Sequence, residues 1–423
     1  MNAQLPQRPG FWERYFGLDA NTSSQQIEDE KNTYRYYGNL LEEIAKASPW
    51  YGETTAVFGG KGGVGKTLTA AALAECDHLA TQLDTAIADF NKALRTLPDR
   101  LRIKLNNDLL TIADMAENLK LLLQVRKNKL LKQANQDVNG PTSVNPEDLN
   151  NFFLHAAHFK QLVHFAKSRL MLIPHGMTSN RHFDIRTIMA VCMLIKRNVH
   201  SLFIDTGNEP FDVFNEAAMR FADKRYFVCL ATDNATVKTM LDTMRAYFDR
   251  GYQNAVRQAL ICYSQTIGSD THMTLFEVML ECVDGDEAVL KDLGIERESL
   301  KEKIYLLPKN RKLGGDRTSS FDPFSFSPLK RNSIDKNDEF VGIEFAIATA
   351  QFRLALLRQP KLTAEQRKED VERANQAIHE FNMERAGDSE IESTIDIDLD
   401  ELFAELVILP NVMKDAPVAA IEQ

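Results

Sequence analysis

A glycine-rich segment that follows a short apolar run carries the clearest chemical signal in the chain. Residues 60–67 read GKGGVGKT, which fits the G-x-x-x-x-G-K-[S/T] pattern of phosphate-binding loops. Glycines let backbone N–H groups approach phosphate oxygens, and the N-terminus of a following helix adds positive potential. Lys66 is expected to reach the β- and γ-phosphates, and the Thr67 hydroxyl to ligate Mg²⁺. The predicted nucleotide site comprises Gly60, Lys61, Gly62, Gly63, Val64, Gly65, Lys66 and Thr67.

An additional lysine early in the loop narrows this prediction. The stretch GGKGGVGKT at residues 59–67 resembles the deviant Walker A motif of the MinD/ParA family of P-loop ATPases. The resemblance implies ATP and Mg²⁺ as cofactors and an ATP-dependent homodimer. It also gives Lys61 a catalytic role, because the early lysine of that family reaches the phosphates of the partner subunit. A solvent-exposed loop lysine is the alternative for Lys61.

A second motif follows in residues 200–212, HSLFIDTGNEPFD, which resembles the Walker B strand of the same family. The resemblance implies that Asp205 holds the Mg²⁺ shell, whereas an ordinary turn or capping role is the alternative. Residues 221–244 and 304–313 resemble the next strand and helix and the strand near the base pocket, so the similarity covers roughly residues 52–358. The order of motifs also resembles MinD-like ATPases associated with type VII secretion.

Three positions depart from the family pattern. Leu68 stands where a second hydroxyl is common in the family. The segment LICYSQT lacks the asparagine that the family often has near adenine, so the sequence does not decide whether the bound nucleotide is ATP or GTP. The second strand of the family ends in a D-x-D-like segment, for which residues 82–86, QLDTA, are the best candidate. Asp84 is then either the first acid, with Ala86 in the place of the water-positioning acid, or that acid itself. We therefore take Asp84 as a candidate catalytic residue beside Lys61 and Lys66, against an ordinary strand-end role.

Short apolar runs bounded by Pro, Gly or polar residues recur along the chain with helical stretches between them. Such runs are typical of strands that are buried on both faces of a parallel sheet. The sequence thus predicts an α/β fold of the P-loop NTPase kind, a mostly parallel twisted sheet flanked by helices, with a helical insertion and terminal extensions. The predicted strands are residues 54–58, 168–174, 200–205, 225–231, 258–263 and 303–308.

The chain divides into four predicted parts. An aromatic and helical extension at residues 1–50 precedes an ATPase domain at 51–358, which contains a helical insertion at about 116–150. An amphipathic helix at 359–385 starts at a capping pair, Thr363 and Gln366, and an acidic tail at 386–423 follows. The insertion carries five basic residues that form either a solvated helix face or a patch for nucleic acid or anionic lipid: Lys120, Arg126, Lys127, Lys129 and Lys132.

Composition excludes several protein classes. The chain has 423 residues and a formal net charge of −10, most of which belongs to the acidic tail. No apolar run reaches the ~18 residues of a membrane span, and the N-terminus does not resemble a secretory signal. The five cysteines are dispersed, which argues against a disulfide scaffold or a zinc site and favours a cytoplasmic protein.

The leading hypothesis is an ATP-binding, slowly hydrolysing dimerisation-switch ATPase of MinD/ParA type. It would act in positioning, partition or secretion control, with an activating protein partner that the sequence does not identify. The alternative is a nucleotide-binding interaction scaffold whose hydrolysis has decayed, as Ala86 suggests. A third hypothesis is a DNA-bound partition ATPase that uses the basic insertion or the cluster Lys309, Arg311 and Lys312.

Overall fold

A computed structural model describes residues 24–49, 53–91, 111–133, 170–176, 183–231, 233–267, 270–308 and 336–386. The seven strands are β1 (Glu53–Phe58), β2 (Thr85–Phe90), β3 (Leu170–Ile173), β4 (Ser201–Thr206), β5 (Lys224–Leu230), β6 (Leu260–Thr266) and β7 (Ile304–Pro308). The helices are α1 (Ser24–Ala47), α2 (Lys66–Thr81), α3 (Ile112–Gln133), α4 (Ile185–Asn198), α5 (Val213–Phe221), α6 (Asn234–Asp249), α7 (Gln253–Gln258), α8 (His272–Cys282), α9 (Glu287–Asp292), α10 (Leu300–Lys303), α11 (Lys336–Arg358) and α12 (Ala364–Ala386).

The strands form one sheet in the order β3-β2-β4-β1-β5-β6-β7, and every neighbouring pair is parallel. Strands β1, β2 and β4 are buried along their whole length, as expected for a sheet covered by helices on both faces. The predicted fold class is confirmed, and all six predicted strands are present. Strand β2 was not predicted as a strand.

The strand order determines where a ligand can bind. Because all strands are parallel, their carboxyl ends meet at one edge of the sheet, where α/β proteins bind ligands. The central strand β1 lies between β4 and β5. Its carboxyl end leads through residues 59–65 directly into α2. The glycine-rich segment is therefore at the centre of the ligand-binding edge.

The predicted helix in the N-terminal extension is present as α1, which packs against α2 and α11. Tyr37, Leu40 and Ile44 are buried in a small hydrophobic cluster with Cys76 and Leu354. Burial of Tyr37 supports the prediction that aromatic residues of the extension pack onto the main domain. Five other aromatic residues of the extension lie outside the described residues: Phe11, Trp12, Tyr15, Phe16 and Trp50.

The basic run predicted as a helical insertion begins in α3, which packs against α4. Lys120, Lys129 and Lys132 are exposed and Lys127 is half-buried, so three of these four side chains are largely in contact with solvent. Residues 134–150 of the predicted insertion lie outside the described residues, as does the Lys309, Arg311 and Lys312 cluster.

The capping pair predicted at the C-terminal helix is confirmed. Thr363 N–H donates to Gln366 Oε1 at 3.0 Å, and Gln366 N–H donates to Thr363 Oγ1 at 3.2 Å. These reciprocal bonds satisfy two N–H groups that a helix start leaves without partners. Ala374 is buried on the inner face of α12. The acidic tail beyond Ala386 lies outside the described residues.

Charged side chains join α12 to the amino-terminal edge of the sheet. Asp223 lies 2.7 Å from Lys196 Nζ and 2.9 Å from Arg367 Nη2, and it accepts the Thr54 N–H at 3.0 Å. Burial opposes ionisation of Asp223, but Lys196 and the other partners outweigh it and lower the pKa to about 2. Asp223 is therefore ionised at neutral pH, and its ion pairs connect α12 with the sheet.

A second ion cluster lies wholly inside the protein. Arg353 on α11 is fully buried and donates to Asp77 Oδ1 at 2.7 Å and to Glu53 Oε1 at 2.9 Å. Asp77 belongs to α2, and Glu53 is the first residue of β1. Arg353 thus connects the strand before the glycine-rich segment with the helix after it.

Within the ranges that the model describes, no helix has the length and apolar character needed to cross a membrane.

Candidate nucleotide-binding site

The glycine-rich segment forms a tight loop that only glycine fits at several positions. Gly63 and Gly65 have φ angles of 84° and 99°, in the left-handed region that L side chains avoid. Gly60 lies against α6, where an added Cβ would be 2.2 Å from Thr243 Oγ1 and 2.8 Å from the Thr239 carbonyl oxygen. The loop shape therefore depends on these three glycines.

The loop leaves room on the side that would receive phosphates. Among the described residues other than its chain neighbours, a Cβ built on Gly63 meets no atom within 4 Å, and one on Gly62 meets only Asn208 Nδ2 at 3.5 Å. The loop leads into the N-terminus of α2, whose first turn carries no acidic residue. Open space beside backbone N–H groups at a helix N-terminus suits an anion, so this segment fits the phosphates of a nucleotide.

Neighbouring side chains fix the inner wall of the loop. Ser264, at the carboxyl end of β6, donates its hydroxyl to the Val64 carbonyl at 2.9 Å. The Thr69 hydroxyl donates to the Gly65 carbonyl at 2.8 Å, and Leu68 packs against the hydrophobic core. Thr69 therefore does not replace the hydroxyl that is missing at Leu68.

Lys66 is buried at the base of the loop. Its Nζ donates to the carbonyl oxygens of Gly59 and Lys61 at 3.2 and 3.3 Å and to Asn208 Oδ1 at 2.7 Å. An ammonium group has three N–H donors, and these three acceptors match that number. The amine thus lies inside the loop, where it can reach a phosphate bound there.

The structure brings the two predicted Mg²⁺ residues together. The Thr67 hydroxyl donates to Asp205 Oδ2 at 2.6 Å, and both side chains are buried. Asp205 lies in β4, next to β1 in the sheet. A hydroxyl and a carboxylate oxygen at the phosphate end of a P-loop are the hard oxygen ligands that Mg²⁺ takes. The residues present therefore fit a Mg²⁺–nucleotide complex.

Lys61 lies on the outer side of the loop, where about half of its side chain is exposed. Its Nζ is 3.3 Å from Asp233 Oδ2. The other oxygen of Asp233 accepts the Ala235 N–H at 2.9 Å and so caps α6. An ion pair this exposed contributes little stability. The Lys61 amine thus pairs with Asp233, whereas the Lys61 backbone carbonyl accepts the Lys66 amine, and the role of the Lys61 side chain across a dimer stays a prediction.

Asp84 does not lie beside Lys66, Thr67 and Asp205, and the position predicted for it at the end of the second strand is corrected. Strand β2 begins at Thr85 and ends at Phe90, so Asp84 precedes the strand at the amino-terminal edge of the sheet. There its carbonyl accepts the His200 N–H at 2.8 Å, just before β4 begins. The glycine-rich loop lies at the opposite edge. Ala86 is likewise an early β2 residue and not the residue beside the phosphates.

The acid at the correct edge is Asp89, which sequence reasoning missed. Asp89 is fully buried and pairs in register with Asp205 across β2 and β4. Residues paired in this way point to the same face of a sheet, and Asp205 points to Thr67 on α2. The Asp89 carboxylate accepts the Asn91 N–H at 3.0 Å. Asp89 is therefore the second carboxylate on the phosphate side of the sheet.

A signal for Asp89 exists in the sequence. Residues 86–89 read AIAD and residues 202–205 read LFID, so each is an apolar triplet followed by aspartate. The same pattern places both carboxylates at the carboxyl ends of neighbouring strands. The D-x-D pattern of the family pointed to the earlier Asp84, so the repeated pattern that contains Asp89 was not recognised.

The segment after Asp205, residues 207–212, forms an ordered loop beside the site. Gly207 N–H donates to Asn215 Oδ1 at 2.9 Å, and Asn215 Nδ2 donates to the Glu209 carbonyl at 2.6 Å. Tyr247 on α6 donates its hydroxyl to the Pro210 carbonyl at 2.6 Å. Sequence reasoning did not assign a role to this loop, although one of its residues, Asn208, contacts Lys66.

No protein-family model and no curated protein sequence matches the chain, whereas several solved structures are similar to it. A ParA family ATPase from Chlorobium tepidum has a TM-score of 0.44 and 12% identity, over 72% of this chain and 99% of that chain. Apo McdA from Cyanothece has a TM-score of 0.43 and 13% identity, over 71% of this chain and 99% of that chain. The MinC:MinD cell division protein complex from Aquifex aeolicus has a TM-score of 0.41 and 17% identity, over 71% of this chain and 95% of that chain.

These identities and TM-scores are low, so the function proposed below depends on the geometry of the chain itself. The parallel sheet places a glycine-rich loop between β1 and α2, and it places Asp205 on the neighbouring strand within hydrogen-bonding distance of Thr67. With this arrangement, the chain has a parallel α/β fold of the P-loop NTPase kind.

Proposed function

We propose that the protein is an ATP-binding switch ATPase of MinD/ParA type. The observation that carries the proposal is the contact between Thr67 and Asp205 directly beside an open glycine loop that contains a buried Lys66. These three residue types at the carboxyl edge of a parallel sheet provide what a Mg²⁺-bound triphosphate requires.

Each residue has a distinct role in this proposal. The backbone N–H groups of the loop and of the first turn of α2 hold the phosphates, while Lys66 donates to the β- and γ-phosphates. Thr67 and Asp205 hold Mg²⁺, which neutralises phosphate charge when it is bound. Asp89 orients the attacking water, because its carboxylate lies beside Asp205 on the same face of the sheet.

The position of Asp89 supports one of the two main hypotheses. A scaffold with decayed hydrolysis was suggested by Ala86 in the place of the water-positioning acid. That reasoning no longer applies, because Ala86 lies early in β2 and Asp89 lies at its carboxyl end. A second acid at the site favours a protein that hydrolyses ATP.

The switch in this proposal is an ATP-dependent homodimer. The glycine loop faces open space at Gly63 and carries an exposed Lys61 on its outer side. A lysine placed there can neutralise the triphosphate of a second subunit, and loss of the γ-phosphate would then weaken the dimer. Such a cycle suits positioning, partition or secretion control, with an activating protein that stimulates hydrolysis.

Replacement of Lys61 tests the dimer. The Lys61→Ala protein should remain a monomer with ATP and Mg²⁺, whereas the wild type should approach twice the monomer mass in multi-angle light scattering. Lys368→Ala is a suitable control, because Lys368 is an exposed lysine of α12 in a weak surface ion pair. Equal ATP-dependent dimerisation of Lys61→Ala and wild type would refute the proposed role of Lys61.

A further inference from the structure

Asn208 accepts the shortest hydrogen bond that the structure gives for the amine of Lys66. Its Oδ1 lies 2.7 Å from Lys66 Nζ, whereas the carbonyl oxygens of Gly59 and Lys61 lie at 3.2 and 3.3 Å. Asn208 is also the acceptor that belongs to a different segment of the chain, the loop after β4. The strongest of these three contacts therefore joins the P-loop to residues 207–212.

The Asn208 side chain lies at the entrance of the loop. Among the described residues, its Nδ2 is the atom that lies within 4 Å of a Cβ built on Gly62, at 3.5 Å, so the amide group extends from Lys66 towards the open side of the glycine segment.

The hydrogen bonds of Lys66 make this contact a competitor of phosphate. The ammonium group has three N–H donors, and Gly59, Lys61 and Asn208 supply three acceptors. A phosphate oxygen that approaches the amine therefore competes with these acceptors. The two carbonyl oxygens belong to the loop that must keep its shape, whereas the Asn208 side chain can rotate away.

We propose that Asn208 is a positioning residue that holds the Lys66 amine within the P-loop and competes for it with the phosphates of a nucleotide. This inference depends on the proposed nucleotide site. It adds that the affinity for nucleotide is limited by the bond between Asn208 and Lys66.

Two substitutions at Asn208 should change affinity in opposite directions. Asn208→Ala removes the competing acceptor and should tighten binding of ADP about tenfold, the change expected for one lost hydrogen bond to a charged group. Asn208→Asp keeps an acceptor, forms an ion pair with Lys66 and repels phosphate, so binding should weaken about tenfold or more. Glu209→Gln, at the next and exposed position of the loop, should leave affinity within twofold of the wild type.

The measurement is fluorescence titration of the full chain with ADP that carries an N-methylanthraniloyl group, in the presence of Mg²⁺. Circular dichroism of each variant checks that it is folded. Weaker binding of both Asn208 variants would overturn the inference, because that result indicates a direct phosphate contact or a merely structural role. Unchanged binding of Asn208→Ala would also overturn it. If the wild type itself binds no labelled ADP, the proposed function fails, which separates the two outcomes.

Discussion

Asparagine in place of Asp89 is expected to reduce ATP hydrolysis about 100-fold while ATP binding is retained. A positioned carboxylate that orients or deprotonates the attacking water contributes on this order. Asparagine has nearly the same shape and keeps the oxygen that accepts the Asn91 N–H, so the fold should not change. The measurement is phosphate release under saturating ATP.

The matched control for Asp89→Asn is Asp84→Asn, five residues earlier in the chain. Asp84 lies at the amino-terminal edge of the sheet and forms its observed contact through a backbone carbonyl, so the rate should stay within about twofold. A large loss in Asp84→Asn together with a normal rate in Asp89→Asn would contradict the strand register and the assignment of the acid.

The largest expected effect on stability comes from Arg353→Leu. Asp77 and Glu53 each accept one hydrogen bond from Arg353 and are almost completely buried. Removing the arginine leaves Asp77 without its cation and leaves Glu53 with the more distant Lys361, 3.9 Å away. Loss of one partner from a buried ion pair typically destabilises a protein by about 3–5 kcal/mol. Urea unfolding, followed by circular dichroism, measures the change.

An arginine one turn further along the same helix provides the control. Arg358 lies 2.7 Å from Glu43, and both side chains are largely exposed. Loss of such a surface pair costs about 0–1 kcal/mol, so Arg358→Leu should be close to the wild type. A similar loss of stability in the two variants would contradict the view that Arg353 organises the interior.

Local patterns in the sequence predicted most of the sheet. Six apolar runs became strands, because burial on both faces of a parallel sheet demands near-continuous apolar residues. Strand β2 was missed although its AIAD segment repeats the pattern of β4. The error arose from reading Asp84 as part of a family motif, and it moved the candidate acid to the wrong edge of the sheet.

The site was predictable where the chemistry lies in consecutive residues, and less so where it depends on distant ones. The loop at residues 60–67 and its link to Asp205 followed from motif and strand order. The contacts of Asn208 with Lys66 and of Arg353 with Asp77 and Glu53 join segments 142 to 300 residues apart. Such pairs depend on how helices and loops pack, which a single sequence does not encode in any local pattern.

We expect the loop at residues 59–67 to bind the phosphates of ATP through Lys66. Isothermal titration calorimetry with ATP and Mg²⁺ tests this expectation by comparing the wild type with a folded Lys66→Ala variant. Two charged hydrogen bonds of about 1.5 kcal/mol each correspond to a loss of about 100-fold in affinity. We expect one ATP to bind per wild-type chain and a loss of that size in the variant. Equal affinities, or no binding by the wild type, would contradict it.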